Sequence, residues 1–201
     1  MPTEKKPQSN SRFQRGFIRL WKQFSRLVVN TFYKKFEVAG LEHISKLQHN
    51  PNGKGIIFCV NHVNALIDPV VLQASTDITI RPLARSGLFK NPVLKPILNV
   101  IGAVPIYRRN TRNSDTSKNL DSFSKCYELL GQHETLVIFP EGQSHSDPYV
   151  HELKTGAARM ALGALETNGV APKLIPVGLT FVRKRARRTR GVGTFWQGGR
   201  S

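Results

Sequence analysis

Five short apolar segments of strand length, separated by segments with helix signals, constrain the fold of this chain more than any other feature of its sequence. The segments are GKGIIFCVNH, DITIRPLA, AVPIY, ETLVIFPEG and KLIPVGLTFV, and each has the length and apolar character of a buried strand. Between them, Asp68 and Asn91 each precede a proline, which favours a helix start, and Gly169 ends the last helical segment. Alternating strands and helices predict an α/β fold, with a mostly parallel sheet flanked by helices.

The residues before the first strand divide into two parts. Residues 1–11 are polar and lack any apolar period, which predicts a disordered start. Over residues 12–36, apolar and aromatic side chains recur at three- and four-residue steps and basic side chains occupy the other face, which predicts a basic amphipathic helix. Such a helix either covers the core of its domain or faces a membrane, with rings in the acyl boundary and cations on lipid phosphates. Its aromatic content supports the membrane-facing interpretation.

A composition break near the end of the chain sets the predicted domain boundaries. The length of 201 residues fits one domain, which we assign to residues 37–182. Residues 183–201 open with RKRARRTR and continue as a glycine-rich tail without period. A basic run of this kind is usually a solvated segment, and a patch for nucleic acid or lipid head groups is the alternative. The abrupt change near Arg187 also suggests a frameshifted or truncated end.

The charge of the chain points to an anionic partner. Its 30 Lys and Arg residues against 13 Asp and Glu residues give a net charge of +17, which attracts nucleic acid, an acidic membrane, an acidic carrier protein or a phosphorylated substrate. The sequence carries no zinc-finger spacing, recognition-helix signature or RNA-binding aromatic motif, so no nucleic-acid partner is expected. It also lacks the glycine-rich nucleotide loops, which argues against cofactor-dependent hydride transfer and phosphoryl transfer.

The cysteines and the hydropathy give an expectation for the compartment. Cys59 and Cys126 form no CxxC pair and no disulfide framework, which fits a reducing cytosol. No run approaches ~18 consecutive apolar residues, the length of an ordinary transmembrane helix. The protein is therefore expected inside the cell.

One histidine and one aspartate are the first candidates for chemistry. His62 follows the strand segment IIFCV, so it should lie at the carboxyl edge of the sheet, where α/β proteins bind ligands. A chain reversal at Asn64 and Ala65 would return the Asp68 carboxylate to the imidazole. There it would fix the tautomer and stabilise the imidazolium during proton abstraction. The alternative is a structural pair in which Asp68 is an ordinary N-cap.

Further polar clusters follow other strand segments and are expected to face the same crevice, because parallel strands end at one edge of a sheet. Guanidinium groups in such a place can hold a phosphate. The clusters are Arg108 and Arg109 after AVPIY, and Glu141, Gly142, Ser144 and His145 after LVIFP.

Together these blocks, in this order and with LIPVGLTF as the fourth, resemble the glycerolipid acyltransferases, the superfamily of lysophosphatidate and glycerol-3-phosphate acyltransferases. The resemblance covers residues 36–182. It implies roles for the site residues, all at matching positions. His62 would be the general base for the acceptor hydroxyl, and Asp68 would orient the histidine. Arg108 with Arg109 would bind the acceptor phosphate, and Glu141 with Gly142 would lie near the glycerol moiety.

The sequence departs from the family pattern at two places. Five residues rather than four separate His62 from Asp68. The third block usually continues Thr-Arg-Ser after its glycine, whereas Gln-Ser-His follows Gly142 here, so the basic phosphate contact is missing. Lys154 or Arg159 in the next helical segment is a candidate replacement, and an ordinary exposed helix charge is the alternative.

The resemblance implies transfer of a fatty acyl group from acyl-CoA or acyl-carrier protein to a phosphorylated glycerol acceptor, with 1-acyl-sn-glycerol 3-phosphate as the first choice. The enzyme would act at an anionic membrane surface, on its cytoplasmic face, as a peripheral or monotopic protein. No metal and no cofactor beyond the thioester co-substrate is expected. The alternatives are a glycerol-3-phosphate or dihydroxyacetone-phosphate acyltransferase, to which the Ser-His ending is also similar, and an inactive membrane-binding scaffold of the same fold.

Overall fold

The computed structural model describes residues 12–42, 44, 55–65, 67–107, 116–145, 147, 149–169, 171–181 and 189–196. Its helices are α1 (Arg12–Phe32), α2 (Ile67–Ser75), α3 (Leu94–Val100), α4 (Thr116–Gly131) and α5 (Gly156–Asn168), and a short 3-10 helix spans Ser86–Lys90. The strands are β1 (Tyr33–Ala39), β2 (Ile56–Val60), β3 (Ile80–Arg85), β4 (Val104–Ile106), β5 (Thr135–Ile138), β6 (Lys173–Phe181) and β7 (Thr189–Phe195). The predicted disordered start, residues 1–11, lies outside the described residues.

The strands form one mixed sheet in the order β1-β7-β6-β2-β5-β3-β4. The five strands from β6 to β4 run parallel to one another, β7 is antiparallel to β6, and β1 is parallel to β7. The chain moves from β2 to β3 and β4, returns to β5 beside β2, and then crosses to β6 on the other side of β2. This topology confirms the predicted α/β class, and it makes the carboxyl end of β2 the switch point where ligands bind in such sheets.

Helices cover both faces of the parallel strands, so the central strands have few exposed side chains. On one face Phe58 and Val60 of β2 pack with Val71 of α2 and Val29 of α1. On the other face Ile57 of the same strand packs against α4 and α5. This arrangement explains why the strand segments read as continuous apolar runs rather than as alternating ones.

The second face is less well covered at β6. Leu174, Pro176 and Thr180 alternate along this strand with buried residues and are exposed. This part of the sheet face forms the floor of a cavity described below.

The N-terminal helix is shorter than predicted. α1 ends at Phe32 rather than at residue 36, and β1 begins at Tyr33. The rings of Tyr33 and Phe36 pack against each other and against Phe181 at centroid distances of 5.4–6.3 Å. A strand forms here because β7 offers backbone partners along β1, with one irregularity between Tyr33 and Lys35. The partner strand lies in a part of the sequence that was assigned to the tail.

The predicted tail boundary also needs correction. Residues 189–195 form β7, an interior strand between β1 and β6, and Phe195 packs against Phe58 with ring centroids 5.6 Å apart. Glycine normally weakens a strand, which is why this segment resembles a tail in sequence. Here the absence of a side chain makes room, because a Cβ at Gly191 would lie 2.7 Å from the Phe36 ring. Residues 183–188 lie outside the described part of the chain, and the reading-frame hypothesis stays a prediction.

We predict that Gly191→Val lowers the free energy of unfolding by about 1–3 kcal/mol, the usual cost of overpacking a core. The added side chain would collide with the Phe36 and Phe181 rings. Chemical denaturation with urea measures the change. Val192→Thr, at an exposed position of the same strand, is the matched control and should change stability by less than about 0.5 kcal/mol. Equal stability of the Gly191 variant and the wild type would contradict the placement of β7 inside the sheet.

Candidate functional site

The predicted histidine and aspartate are in contact. His62 lies just after β2, and its Nδ1 is 2.9 Å from Oδ2 of Asp68. The backbone N–H of Asn64 donates to the same oxygen at 2.8 Å. Both contacts come from the loop before α2, so the Asp68 carboxylate is turned toward the histidine instead of capping its own helix. The carboxylate is fully buried, whereas the His62 side chain is 18% exposed, so the ring is reachable from outside.

A strained turn brings the two side chains together. Ala65 has a φ of 38°, in the left-handed region that non-glycine residues rarely adopt. Its N–H donates to Oγ of Ser144 at 2.9 Å. Ser144, a predicted site residue, therefore stabilises the loop that returns Asp68 to His62.

Glu141 connects the loops that follow β2 and β5. Its buried carboxylate accepts the His62 N–H through Oε1 at 3.3 Å, and Oε2 contacts Nε2 of His145. The His145 N–H in turn donates to the carbonyl oxygen of His62 at 3.1 Å. Phe139, at the end of β5, stacks on the His62 ring with centroids 4.0 Å apart. The predicted residues Glu141 and His145 thus hold the main chain at His62, and Phe139 holds its ring.

Gly142 and Lys154 are adjacent in the structure. Gly142 has a φ of 72°, and its N–H donates to the Phe139 carbonyl at 3.0 Å. A Cβ at Gly142 would lie 2.8 Å from Nζ of Lys154, so the ammonium group sits over this glycine turn. The Arg159 side chain lies elsewhere, with its Cζ 5.4 Å from the centroid of the Phe123 ring. Of the two candidate replacements for the missing cation, the structure therefore brings Lys154 to the site.

Two further residues at the site were not predicted. Asn61 bonds to β6 in both directions, since its Nδ2 donates to the Leu179 carbonyl at 2.9 Å and its Oδ1 accepts the Leu179 N–H at 2.6 Å. Tyr33, at the start of β1, lies beside Asn64 and Asp68. Burial raises the pKa of its hydroxyl above the ordinary value, and the Asp68 charge adds to this effect. A hydrogen bond with the Asn64 side chain acts in the opposite direction. The position of Asn61 next to His62 was the only sequence signal for either residue.

An apolar cavity of about 660 Å³ opens beside the histidine. Its wall includes Asn61 and Val63, the two chain neighbours of His62, and Glu141, although the His62 ring is not itself a lining residue. Most of the remaining lining is apolar or aromatic and includes Cys59, Tyr149, Val150, Leu153, Pro176 and Trp196. A cavity of this size and lining suits an apolar ligand group.

Neither cysteine is suited to act as a nucleophile. Burial raises the pKa of Cys59 to about 11 and that of Cys126 to about 12. Both groups are therefore neutral thiols near pH 7, and a thiol is a much weaker nucleophile than a thiolate. The His62–Asp68 pair fits proton abstraction from a hydroxyl of a bound ligand.

Arg108 and Arg109 lie outside the described residues. The described stretch that contains β4 ends at Tyr107, whose N–H donates to Oδ1 of Asn119 at 3.0 Å, and the description resumes at residue 116. β4 is three strands away from β2 in the sheet, which corresponds to about 14 Å.

Comparison with known proteins relates this chain to a family. Residues 35–180 match the sequence model of the family described as Acyltransferase. The chloroplastic 1-acyl-sn-glycerol-3-phosphate acyltransferase LPAT1 of Arabidopsis thaliana is 24% identical over 150 residues, 75% of this chain and 38% of that protein. The glycerol-3-phosphate O-acyltransferase 2 of Saccharomyces cerevisiae is 31% identical over 84 residues, 41% of this chain and 11% of that protein. The chain thus spans well under half of these curated relatives.

A solved structure shares the fold. The crystal structure of the 1-acyl-sn-glycerophosphate (LPA) acyltransferase, PlsC, from Thermotoga maritima matches with a TM-score of 0.64 at 17% sequence identity. The match covers 96% of this chain and 72% of that chain. At this identity the likeness shows the fold alone.

Proposed function

Because residues 35–180 match its sequence model, the chain belongs to the acyltransferase family, and we propose that it acylates a hydroxyl of a phosphorylated glycerol acceptor. The preferred acceptor in this proposal is 1-acyl-sn-glycerol 3-phosphate, and the donor is a thioester, acyl-CoA or acyl-carrier protein. One observation carries the proposal: the His62–Asp68 pair, 2.9 Å apart, stands beside an apolar cavity at the carboxyl edge of the parallel strands.

In the proposed reaction, His62 is the general base. Nδ1 carries its proton toward Asp68, so Nε2 holds the lone pair that takes the proton of the acceptor hydroxyl. The hydroxyl oxygen attacks the thioester carbonyl carbon, and the buried Asp68 carboxylate stabilises the imidazolium that forms. The tetrahedral intermediate collapses with cleavage of the carbon–sulfur bond, and the imidazolium returns the proton to the departing sulfur.

We assign the acceptor phosphate to basic side chains near this edge of the sheet. Lys154 supports this assignment because its ammonium group lies over Gly142, in the loop that also carries Glu141. Arg108 and Arg109 remain candidates from the sequence. Glu141 acts in this proposal as a positioning residue for His62, since both of its oxygens are engaged by protein groups.

The apolar cavity is the proposed place of the acyl chain. Its floor is the uncovered face of β6, with Pro176 and Gly178, and its rim carries Leu153 and Trp196, which are 59% and 60% exposed. Exposed apolar rims of this kind commonly mark ligand or membrane contact. A fatty acyl group would cover these side chains.

The orientation of α1 supports a membrane-facing role. The helix packs on the domain through the buried residues Ser25 and Val29, and beside them Arg26 pairs with Asp77 at 2.7 Å and Lys22 donates to the Asp77 carbonyl. A second, apolar stripe of the helix points outward and includes Leu20, Phe24 and Leu27, which are 63%, 53% and 64% exposed. Packing on the core accounts for the first side of the helix and leaves this stripe uncovered. Among the described helices, none has both the length and the apolar character that crossing a bilayer needs.

We therefore propose that α1 lies in the interface of an anionic membrane, with its apolar stripe in the acyl boundary and the basic residues near lipid phosphates. The cytoplasmic face follows from the proposed substrates, which are made inside the cell. The net charge of +17 strengthens this attraction at low ionic strength.

We predict that His62→Ala lowers the turnover of acyl transfer by about 10²–10⁴-fold, the usual contribution of general base catalysis. The assay follows transfer from acyl-CoA to lysophosphatidate in mixed micelles. Urea denaturation should still show a cooperative unfolding transition, with a stability lowered by about 1–3 kcal/mol because the buried Asp68 carboxylate loses a partner. The control is His133→Asn, at an exposed turn, which should keep full activity. Near-normal turnover of the His62 variant would refute the base assignment, and a wild-type chain without any turnover would support the inactive scaffold.

We predict that lysophosphatidate is acylated faster than glycerol 3-phosphate, because its own acyl chain can use the apolar surfaces at α1 and the cavity. The two acceptors are supplied separately with the same donor, and dihydroxyacetone phosphate is a third arm. Glycerol 3-phosphate is the second candidate because of the similarity to the yeast enzyme. A higher rate with glycerol 3-phosphate would replace the first candidate by the second.

We predict that the double variant Phe24→Asp, Leu27→Asp binds anionic vesicles about tenfold or more weaker than the wild type, since full burial of each side chain is worth about 1.5–3 kcal/mol. Cosedimentation with phosphatidylglycerol-containing vesicles measures the binding. The matched control is Gln23→Asp, Asn30→Asp, which makes the same charge change at two exposed polar positions of α1. An equal loss in both double variants would assign the binding to charge alone and contradict insertion of the stripe.

A further inference from the structure

Three side chains of the loop between β5 and α5 converge on one point outside the His62–Asp68 pair. Oδ2 of Asp147 lies 2.6 Å from Nε2 of His151 and 3.8 Å from Nδ1 of His145. One ligand atom from each residue lies within 4.8 Å of the other two. The two imidazole rings stack on each other with centroids 3.6 Å apart and planes at 7°. Two imidazoles and one carboxylate are thus held together in a short stretch of chain.

The far side of His145 is arranged as it is in histidine metal ligands. Its Nε2 contacts Oε2 of Glu141, a buried carboxylate. When Nε2–H donates to this carboxylate, the lone pair of the ring is on Nδ1, the nitrogen that faces Asp147. A carboxylate behind a ligating histidine is the usual outer contact of such sites, where it fixes the tautomer and raises the basicity of the ligand.

We propose that His145, Asp147 and His151 bind a divalent first-row transition-metal ion, with Zn²⁺ as the best match. Two imidazole nitrogens and one carboxylate oxygen are the borderline ligands that Zn²⁺ accepts, and three protein ligands leave its fourth tetrahedral position to water. Mg²⁺ and Ca²⁺ are disfavoured because they prefer a shell of oxygen ligands.

Binding requires a small rearrangement that the structure permits. Two parallel rings cannot both direct an in-plane lone pair at one ion, so His151 has to turn about its side-chain bonds and leave its hydrogen bond with Asp147. The side chains of His151 and Asp147 are 27% and 47% exposed, which gives them room to move. His145 is 7% exposed and stays fixed on Glu141.

The ion would join the outer wall of the cavity to the catalytic loop. Asp147 and Tyr149 line the cavity, and His145 reaches His62 through Glu141 and through its own N–H. Zn²⁺ is therefore a structural ligand of this wall, outside the acyl-transfer steps. The inference does not depend on the proposed function, since binding is measured without substrate.

The test uses the full chain without a histidine tag, stripped of metal with a chelator. Isothermal titration with Zn²⁺ should show one ion per chain. Co²⁺ in its place should give the intense visible absorption of a tetrahedral site. His151→Ala and Asp147→Asn should each weaken Zn²⁺ binding by about tenfold or more, at least the effect of losing an outer-shell contact. Thermal unfolding without metal should match the wild type for both variants, because both positions are partly exposed.

The control is His133→Asn, which removes an exposed histidine from the turn before β5 and places asparagine at a φ of 62°, which it tolerates. This variant should bind Zn²⁺ as the wild type does. Zn²⁺ should also raise the unfolding temperature of the wild type and of this control, but not that of His151→Ala. Equal Zn²⁺ affinity in all four proteins, or no stoichiometric binding by the wild type, would overturn the proposal.

Discussion

The arrangement of the site depends on one buried carboxylate. Glu141 accepts the His62 N–H with one oxygen and contacts Nε2 of His145 with the other. The backbone N–H of His145 in turn donates to the His62 carbonyl. An ionised carboxylate is costly to bury unless such partners compensate it. The partners are available because β5 and β2 are neighbours in the sheet, so their carboxyl-terminal loops meet. Without Glu141 the main-chain N–H of His62 would lose its acceptor and His145 would lose the partner of its Nε2, so the two loops would lose the carboxylate that they share.

Local pattern was enough to predict most of the elements and the central pair. The parallel strands are apolar runs buried on both faces, and the His62–Asp68 contact follows from a short loop that reverses. The features that the local pattern did not predict depend on partners that are distant in the sequence. β7 forms because β1 and β6 flank it and because Gly191 leaves space for Phe36, neither of which is visible in a glycine-rich segment. The apolar stripe of α1 was evident in the sequence, but which side of the helix packs on the domain depends on distant residues. Val29 joins Phe58 and Val71 in the core, and Arg26 pairs with Asp77, about fifty residues away.

The direct connection between α1 and β1 places the outward apolar stripe of α1 close to the candidate site. The helix runs directly into β1, and Tyr33, the first residue of that strand, is buried beside Asn64 and Asp68. The exposed Leu27 is only six positions earlier in the chain. A membrane surface that accepted the apolar stripe would therefore lie near the end of the sheet that carries His62. An acceptor held in a bilayer would thus reach the catalytic loop without leaving the lipid entirely, which is the geometric requirement of the proposed reaction.

The two departures from the family pattern are coupled in the structure. The loop between His62 and Asp68 is one residue longer than the usual pattern, and in it Ala65 adopts a positive φ at a cost of about 1–2 kcal/mol. Ser144, which stands at the position of the missing cation, accepts the Ala65 N–H and offsets part of that cost. His145, the next residue, holds Glu141. The Gln-Ser-His sequence therefore stabilises the longer loop at the position where the family usually has a basic contact, and the ammonium group of Lys154 covers the adjacent glycine turn.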